Sequence, residues 1–340
     1  MADGSGQRVG RSGSNVRDGG AGRRDEVRAE TATAPSASAS YRRQLSAYCL
    51  LAAAVCLLLF PLWPRPYAAP ARASDGPSEA SLLEVGGEHA PAKPGDAPSE
   101  LKIISYNIRY RVGDDLQRLV KLLKDDPEIG GAHVIGLQEV DRNKKRTGNV
   151  NTARQLAEAL GMRYAWAAPP DTDKDGEEET GCAILSPFPM TDVARILLTH
   201  EGPDGRRRVA VGATLHVGKT PLRVYSVHAE TRMPLEKKVE HWRAVLDDLR
   251  LHTKVAGAVV LGDFNTIKGK DVKAARRLFS HEGFTTPIPD DRSTWKTFVV
   301  KLKLDWLWLR GLEARSHGID KEIGLSDHWP LWVTVKLAEK

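Results

Sequence analysis

From Leu101 onward, short apolar runs stop again and again on a carboxylate, an amide or an imidazole. Ile103-Ile104-Ser105-Tyr106 stops on Asn107, and Val134-Ile135-Gly136-Leu137 stops on Gln138-Glu139. Arg223-Val224-Tyr225-Ser226-Val227 ends on His228. Ala258-Val259-Val260-Leu261-Gly262 ends on Asp263, with Asn265 two positions on and so on the same side of an extended chain. Leu304-Asp305-Trp306 and Ser326-Asp327-His328 follow near the C-terminus. Runs this short and this rich in Ile and Val read as buried strands rather than helices.

Between them the hydrophobic period changes. Asp115–Leu123 reads as an amphipathic helix with Leu116, Leu119, Val120 and Leu123 inward. Asn151–Leu160 reads as a helix closed by Gly161, a residue suited to the left-handed cap. Further strands are expected at 163–167, 181–185, 193–198, 209–217, 302–309 and 330–337. Helices are expected at 235–251 and near 272–279. The stretch 101–340 is a normal size for one domain. Cys182 reads as a small buried hydrophobe, because it stands alone in its strand and has no partner for a disulfide.

The first hundred residues differ. Residues 1–43 carry Gly-rich and Ser/Ala-rich tracts and read as a disordered tail. Leu45–Trp63, within the segment 44–63, has no charged residue and holds Cys49 and Cys56; it follows eight arginines, Arg42 and Arg43 the nearest. Two readings stand side by side. It is a single membrane-spanning anchor with the catalytic part outside the cytoplasm, or the apolar region of a signal peptide cut near Ala73, giving a secreted or periplasmic protein. Residues 64–100 read as a Pro/Ala-rich linker. Residues 1–100 hold 11 basic and 11 acidic side chains, so the net charge of +6 lies downstream, where it suits an anionic substrate. No basic stripe interleaved with aromatics marks a dedicated nucleic-acid groove.

Each polar strand end has a plain structural explanation when taken singly, since Asn and Asp commonly open turns. Six in one domain, supplying carboxylates, amides and imidazoles, form the inventory of an oxygen-rich Mg²⁺ or Mn²⁺ site beside a phosphate. Their order and wording resemble the endonuclease/exonuclease/phosphatase superfamily over essentially all of 101–340: Ser105-Tyr106-Asn107, Gln138-Glu139-Val140-Asp141-Arg142, Val227-His228, Gly262-Asp263-Phe264-Asn265, Leu304-Asp305-Trp306 and Ser326-Asp327-His328-Trp329-Pro330. That family includes pancreatic-type deoxyribonucleases, abasic-site endonucleases, neutral sphingomyelinases and inositol-polyphosphate phosphatases.

The resemblance implies a four-layer α/β/β/α sandwich of two packed mixed β-sheets. It implies Glu139 as the principal metal ligand, with Asn107 and Asp327 beside it as ligands or near neighbours. Asp263 would position and deprotonate the attacking water, and Asn265 would hold a phosphate oxygen or the nucleophile. His328 would contact phosphate with its far nitrogen fixed by Asp305. His228 would donate to another phosphate oxygen or help protonate the leaving group; whether Asp263 or a histidine is the base stays open. Arg208, in the run Arg206-Arg207-Arg208, is either a phosphate contact or part of a solvated charge run. Arg109 and Arg142 bind substrate or brace a carboxylate, Lys144-Lys145-Arg146 reads as loop surface, and His216 and His317 as structural or exposed. On the helix after His228, many relatives carry an Arg and a Gln where this chain has Lys237, Lys238 and His241. Trp295, Trp306, Trp308 and Trp329 read as strand-packed aromatics.

The expected function is metal-dependent hydrolysis of phosphoester bonds by a monomeric catalytic domain. A phosphodiester is the leading substrate, and nucleic acid, lipid head group and small metabolite are all open. The alternatives are a phosphomonoesterase acting on a small metabolite and a non-catalytic binding domain on the same scaffold.

Overall fold

The computed structural model describes residues 82–87, 98–170 and 179–337. The tail, the apolar segment with Cys49 and Cys56, and most of the expected linker lie outside these residues. Among the described residues no helix is long and apolar enough to cross a membrane.

Two mixed sheets carry the fold. The first has seven strands, in the order β1 (Leu83–Gly86), β4 (Arg163–Ala167), β5 (Glu179–Ser186), β3 (Val134–Arg142), β2 (Glu100–Asn107), β14 (Leu331–Leu337) and β13 (Leu312–Ile319). The second has five, in the order β12 (Asp305–Arg310), β9 (Gly257–Asp263), β8 (Thr220–His228), β7 (Val209–Val217) and β6 (Met190–Leu197). Each sheet contains one parallel pair, β2 with β3 and β8 with β9. A parallel pair needs a long crossover. The helices α1 (Gly113–Asp125) and α3 (Leu235–Leu251) lie on those crossovers, while α2 (Thr152–Leu160) follows β3 and α4 (Gly269–His281) follows β9.

Period-2 alternation splits each buried strand between two cores. Ile103, Val134 and Leu101 face inward onto Val211, Val224 and Leu261 of the second sheet. Their neighbours Ile104 and Ile135 face outward onto Leu116, Leu119 and Leu123 of α1 and Leu156 of α2. Val260, Trp306 and Trp308 pack outward on Trp242 and Val245 of α3 and Phe279 of α4. The layers therefore run helix, sheet, sheet, helix. At Gly136 the sheets approach so closely that a Cβ would lie 2.0 Å from Leu261 Cδ1.

The expected helices are present, 235–251 with the expected ends and the other three with ends shifted by a few residues. Asn151 is the cap of α2, accepting from Arg154 N at 3.2 Å, and Gly161 closes it in the left-handed conformation. Cys182 is fully buried. Three elements differ from expectation. β1 falls inside the stretch read as linker and pairs antiparallel with β4. β13, at the opposite edge, has an almost wholly exposed middle and so lacks an apolar signature. The single strand expected over 302–309 is split: β10 (Trp295–Lys296) and β11 (Lys301–Leu302) form a separate hairpin before β12 begins.

Candidate active site

Asp263 ends β9 directly after Gly262, whose φ of 132° and neighbour Val227 O, 2.1 Å from any added Cβ, leave room for glycine alone. In register, Asp263 faces His228 at the end of parallel β8 and Asp305 at the start of antiparallel β12. Three polar strand ends thus stand in a row along one edge of the five-stranded sheet. From the other sheet, Asn107 ends β2 opposite Gln138. Glu139 sits on a bulge between Gln138 and Val140 with φ 55°, a left-handed conformation unusual for a side-chain-bearing residue. A bulge re-aims a side chain. Glu139 is the only residue of β3 re-aimed in this way.

The two sheets meet on the Asn107 amide, whose Nδ2 donates to Glu139 Oε1 and to Asp263 Oδ2, each at 3.2 Å. The other Asp263 oxygen accepts from Asn265 N at 3.0 Å. His228 Nε2 and His328 Nε2 lie 3.6 and 3.7 Å from Asp263 Oδ2. His328 Nδ1 is held between both Asp305 oxygens at 3.0 and 2.9 Å, which fixes the ring. Asn265, also left-handed at φ 52°, donates Nδ2 to Ala229 O at 2.8 Å. The structure therefore brings Asn107, Glu139, His228, Asp263, Asn265, Asp305 and His328 together. Asp327 reaches the group through other partners: Arg109 at 3.4 Å, Trp295 Nε1 at 3.1 Å and Ser326 Oγ at 3.3 Å.

Burial dominates the electrostatics. It pushes the Asp263 carboxyl up, against the pull of His328, with Asp305 and Glu139 adding to the rise. It drives His228 well below the ordinary imidazole range, in the same direction as Arg208 and His328, so that ring is neutral at pH 7. For His328 burial acts downward as well, but the negative charges of Asp305 and Asp263 outweigh it and hold the ring protonated. One acid ready to take a proton, one neutral imidazole and one imidazolium share a single small space.

Among the described residues, Asp263, Asp305 and His328 offer ligand atoms all within 4.8 Å of one another. His328 is the poorer donor there, because a protonated imidazole has no lone pair to give and its Nδ1 is already bonded to Asp305. The oxygen-rich corner at Asn107 fits a hard divalent cation better. The Glu139 and Asp263 carboxylates, one from each sheet, lie at equal distance from the Asn107 Nδ2 that bridges them, and a third acid, Asp327, lies along the same rim. Asn107 itself could ligate only through Oδ1, which here accepts from Arg109 N at 3.1 Å.

Several supporting roles were not assigned from the sequence. Glu230, buried, accepts from Arg208 Nε at 2.9 Å and from the Thr231 and Arg232 amides; burial acts upward on it, but Arg208 and these bonds hold its carboxyl at about 2. Lys238, buried on α3, donates to Asn265 O at 2.7 Å and to Asp271 at 3.1 Å. Gln138 Nε2 donates to Ser226 Oγ at 2.9 Å, tying the sheets beneath the site. Trp295 departs from a plain packing role by gripping Asp327 and standing edge-on to His328, with ring centroids 6.5 Å apart. Only a tertiary contact could reveal these roles.

The remaining candidates separate clearly. Arg142 braces Glu179 with two bonds of 2.7 and 2.8 Å and also holds Glu84. Arg146, expected on a loop surface, instead pairs with buried Asp141 at 2.7 and 2.9 Å and lies 3.6 Å over the Tyr110 ring. Lys237 is exposed, and His241 is buried against His200 O at 3.1 Å. His216 bonds Thr191 at 2.8 Å, and His317 is exposed. Trp306 and Trp308 stack at 4.6 Å in the outer core.

Comparison with known proteins identifies the fold and the family. Three solved structures are among those that share the fold. One is an endonuclease/exonuclease/phosphatase from Beutenbergia cavernae DSM 12333, 17% identical with a TM-score of 0.57, covering 71% of this chain and 72% of that one. Another is ANGEL2, a 2′,3′-cyclic phosphatase, 17% identical with a TM-score of 0.54, covering 70% and 95%. The third is the human Nocturnin catalytic domain with bound sulfate, 17% identical with a TM-score of 0.54, covering 71% and 94%. No curated protein matches the sequence. The profile of the endonuclease/exonuclease/phosphatase family matches residues 104–328, a span that opens within β2 and closes on His328. The chain belongs to that family, whose members hydrolyse phosphoester bonds.

Proposed function

We propose that this chain is a divalent-metal-dependent phosphodiesterase with Asp263 as its general base. The observation that carries the reading is the convergence on Asp263 Oδ2 of Asn107 from one sheet and of His228 and His328 from the other side, within 3.7 Å. A buried carboxyl pushed upward is suited to accept a proton from an attacking water near neutral pH. Asn265, fixed by Ala229, orients that water or a phosphate oxygen. Protonated His328 brings positive charge to the phosphate, and Asp305 keeps its Nε2 aimed at the site. Neutral His228 donates a hydrogen bond to a second phosphate oxygen. Arg208, held by Glu230, supplies a guanidinium at the edge.

Glu139 and Asn107, with Asp327 along the rim, are the residues that would hold Mg²⁺ or Mn²⁺, and such an ion would neutralise phosphate charge. ANGEL2, which acts on a 2′,3′-cyclic phosphate, and the sulfate in the Nocturnin domain support a phosphate-shaped ligand for this fold. The arginine-rich tail and Leu45–Trp63 support a location at or beyond the cytoplasmic membrane. A substrate panel on the full chain tests the reading: plasmid DNA, sphingomyelin, phosphoinositides, and nitrophenyl mono- and diesters. Turnover of the diester above the monoester is the expected result; turnover of the monoester alone overturns it.

A further inference from the structure

The turn between β10 and β11 carries the most exposed apolar side chains of the described chain. Thr297–Val300 joins the two strands, and Phe298 and Val299 are the two most exposed large apolar side chains among the described residues, at 104% and 82%. The turn is closed rather than loose: Thr297 N donates to Val300 O at 2.8 Å, and Thr297 Oγ1 accepts from Val300 N at 3.1 Å. Nothing among the described residues covers the tip. Holding two such side chains in water on a built turn is unfavourable unless something else takes them up.

Cations flank the base of the turn. Lys296 and its cross-strand partner Lys301 stand on one face of the hairpin, Lys296 and Lys321 place their ammonium groups 4.9 and 5.2 Å from the Trp329 ring, and no acidic residue occurs from Arg292 to Leu304. An apolar tip on a basic base is complementary to the acyl boundary and head groups of an anionic leaflet. We propose that this hairpin docks the protein on an anionic lipid surface, with Phe298 and Val299 seated at the acyl boundary. A second copy fits poorly, because two or three side chains fall far short of the roughly 1,000 Å² a specific protein interface buries. The aliphatic Val299 offers a nucleic acid nothing to stack on. The hairpin root is bonded to the active-site rim, with Lys296 N on Asp327 O at 2.9 Å and Trp295 against His328, so docking holds the site at the bilayer surface. The proposal stands without the hydrolase reading.

The test uses the full chain with Cys49→Ser and Cys56→Ser, leaving only buried Cys182, and an environment-sensitive fluorophore on Phe298→Cys. A second preparation carries the same probe on Leu251→Cys, an exposed position at the end of α3. Vesicles of phosphatidylcholine, with or without phosphatidylserine, are added to each. The expected result is a blue shift at 298 and not at 251, quenched by acyl-chain spin labels and larger with phosphatidylserine. Lys296→Glu with Lys301→Glu should weaken the titration about thirtyfold or more, at about 1 kcal/mol for each basic residue lost near such a surface. No shift at 298 while the chain sediments with vesicles overturns the proposal, since binding then runs through another segment. So does an equal shift at 251, or a shift without lipid that grows with protein concentration, which would identify a second copy as the occupant.

Discussion

Replacing the Asp263 carboxylate with an amide of nearly the same shape separates its chemistry from its packing. The amide would keep the bond to Asn265 N yet accept no proton, so Asp263→Asn should lower kcat on bis-p-nitrophenyl phosphate about a thousandfold. Its melting temperature should stay close to that of the parent, because the buried charge it removes was itself held unfavourably. Glu139→Ala should abolish turnover of the same diester while leaving the fold intact, checked by melting and circular dichroism; unchanged turnover removes Glu139 from the mechanism. Glu230→Gln is a different case. It takes the counter-charge from Arg208, so KM should rise by about tenfold with kcat largely kept, the signature of lost ground-state binding. A fall in kcat alone would instead place Glu230 in the chemistry. The residues proposed for this work were legible because an acid or imidazole at the end of an apolar run stands out. Glu230, Lys238 and Trp295 were not, because each acts on a residue distant in sequence and nothing local marks it.

Elements position those side chains, and two of them can be tested directly. Gly262→Ala forces a Cβ to within 2.1 Å of Val227 O at a backbone φ of 132°, so it should cost about 2 kcal/mol or more by urea unfolding. β1 is the other. Glu84 accepts from Tyr164 OH, Arg154 and Arg142 at 2.6 to 3.2 Å. Burial acts upward on its carboxyl, but these bonds win and hold it at about 2. A depressed carboxyl stabilises the fold above its unfolded value near 4.5 and loses that contribution as pH falls toward 2. Melting temperature should therefore fall between those limits in the parent, and fall less in Glu84→Gln, which starts lower at neutral pH. Parallel slopes would show that β1 is not clamped by this charge. The edge strands β1 and β13 escaped the sequence because they bury little, whereas β2, β3, β8 and β9 are apolar on both faces and declare themselves.

On the scale of the whole molecule, two sheets packed face to face present their strand ends to one another, so that acids from both meet across a single amide. Neither sheet alone makes the site: Asp263, His228 and Asp305 come from one, Asn107 and Glu139 from the other. That division explains why the motif order was readable while the contacts were not, since strand sequence records which face is buried but not which strand end lies opposite. The division also sets the most direct test. The rate of bis-p-nitrophenyl phosphate hydrolysis is measured on the full chain after EDTA treatment, then with Mg²⁺ restored, for the parent and for Asp263→Asn. We expect parent turnover to vanish with EDTA and return with Mg²⁺, and the variant to stay inactive in both. Parent turnover that survives chelation, or a variant as fast as its parent, would contradict a metal-assisted reaction based on Asp263.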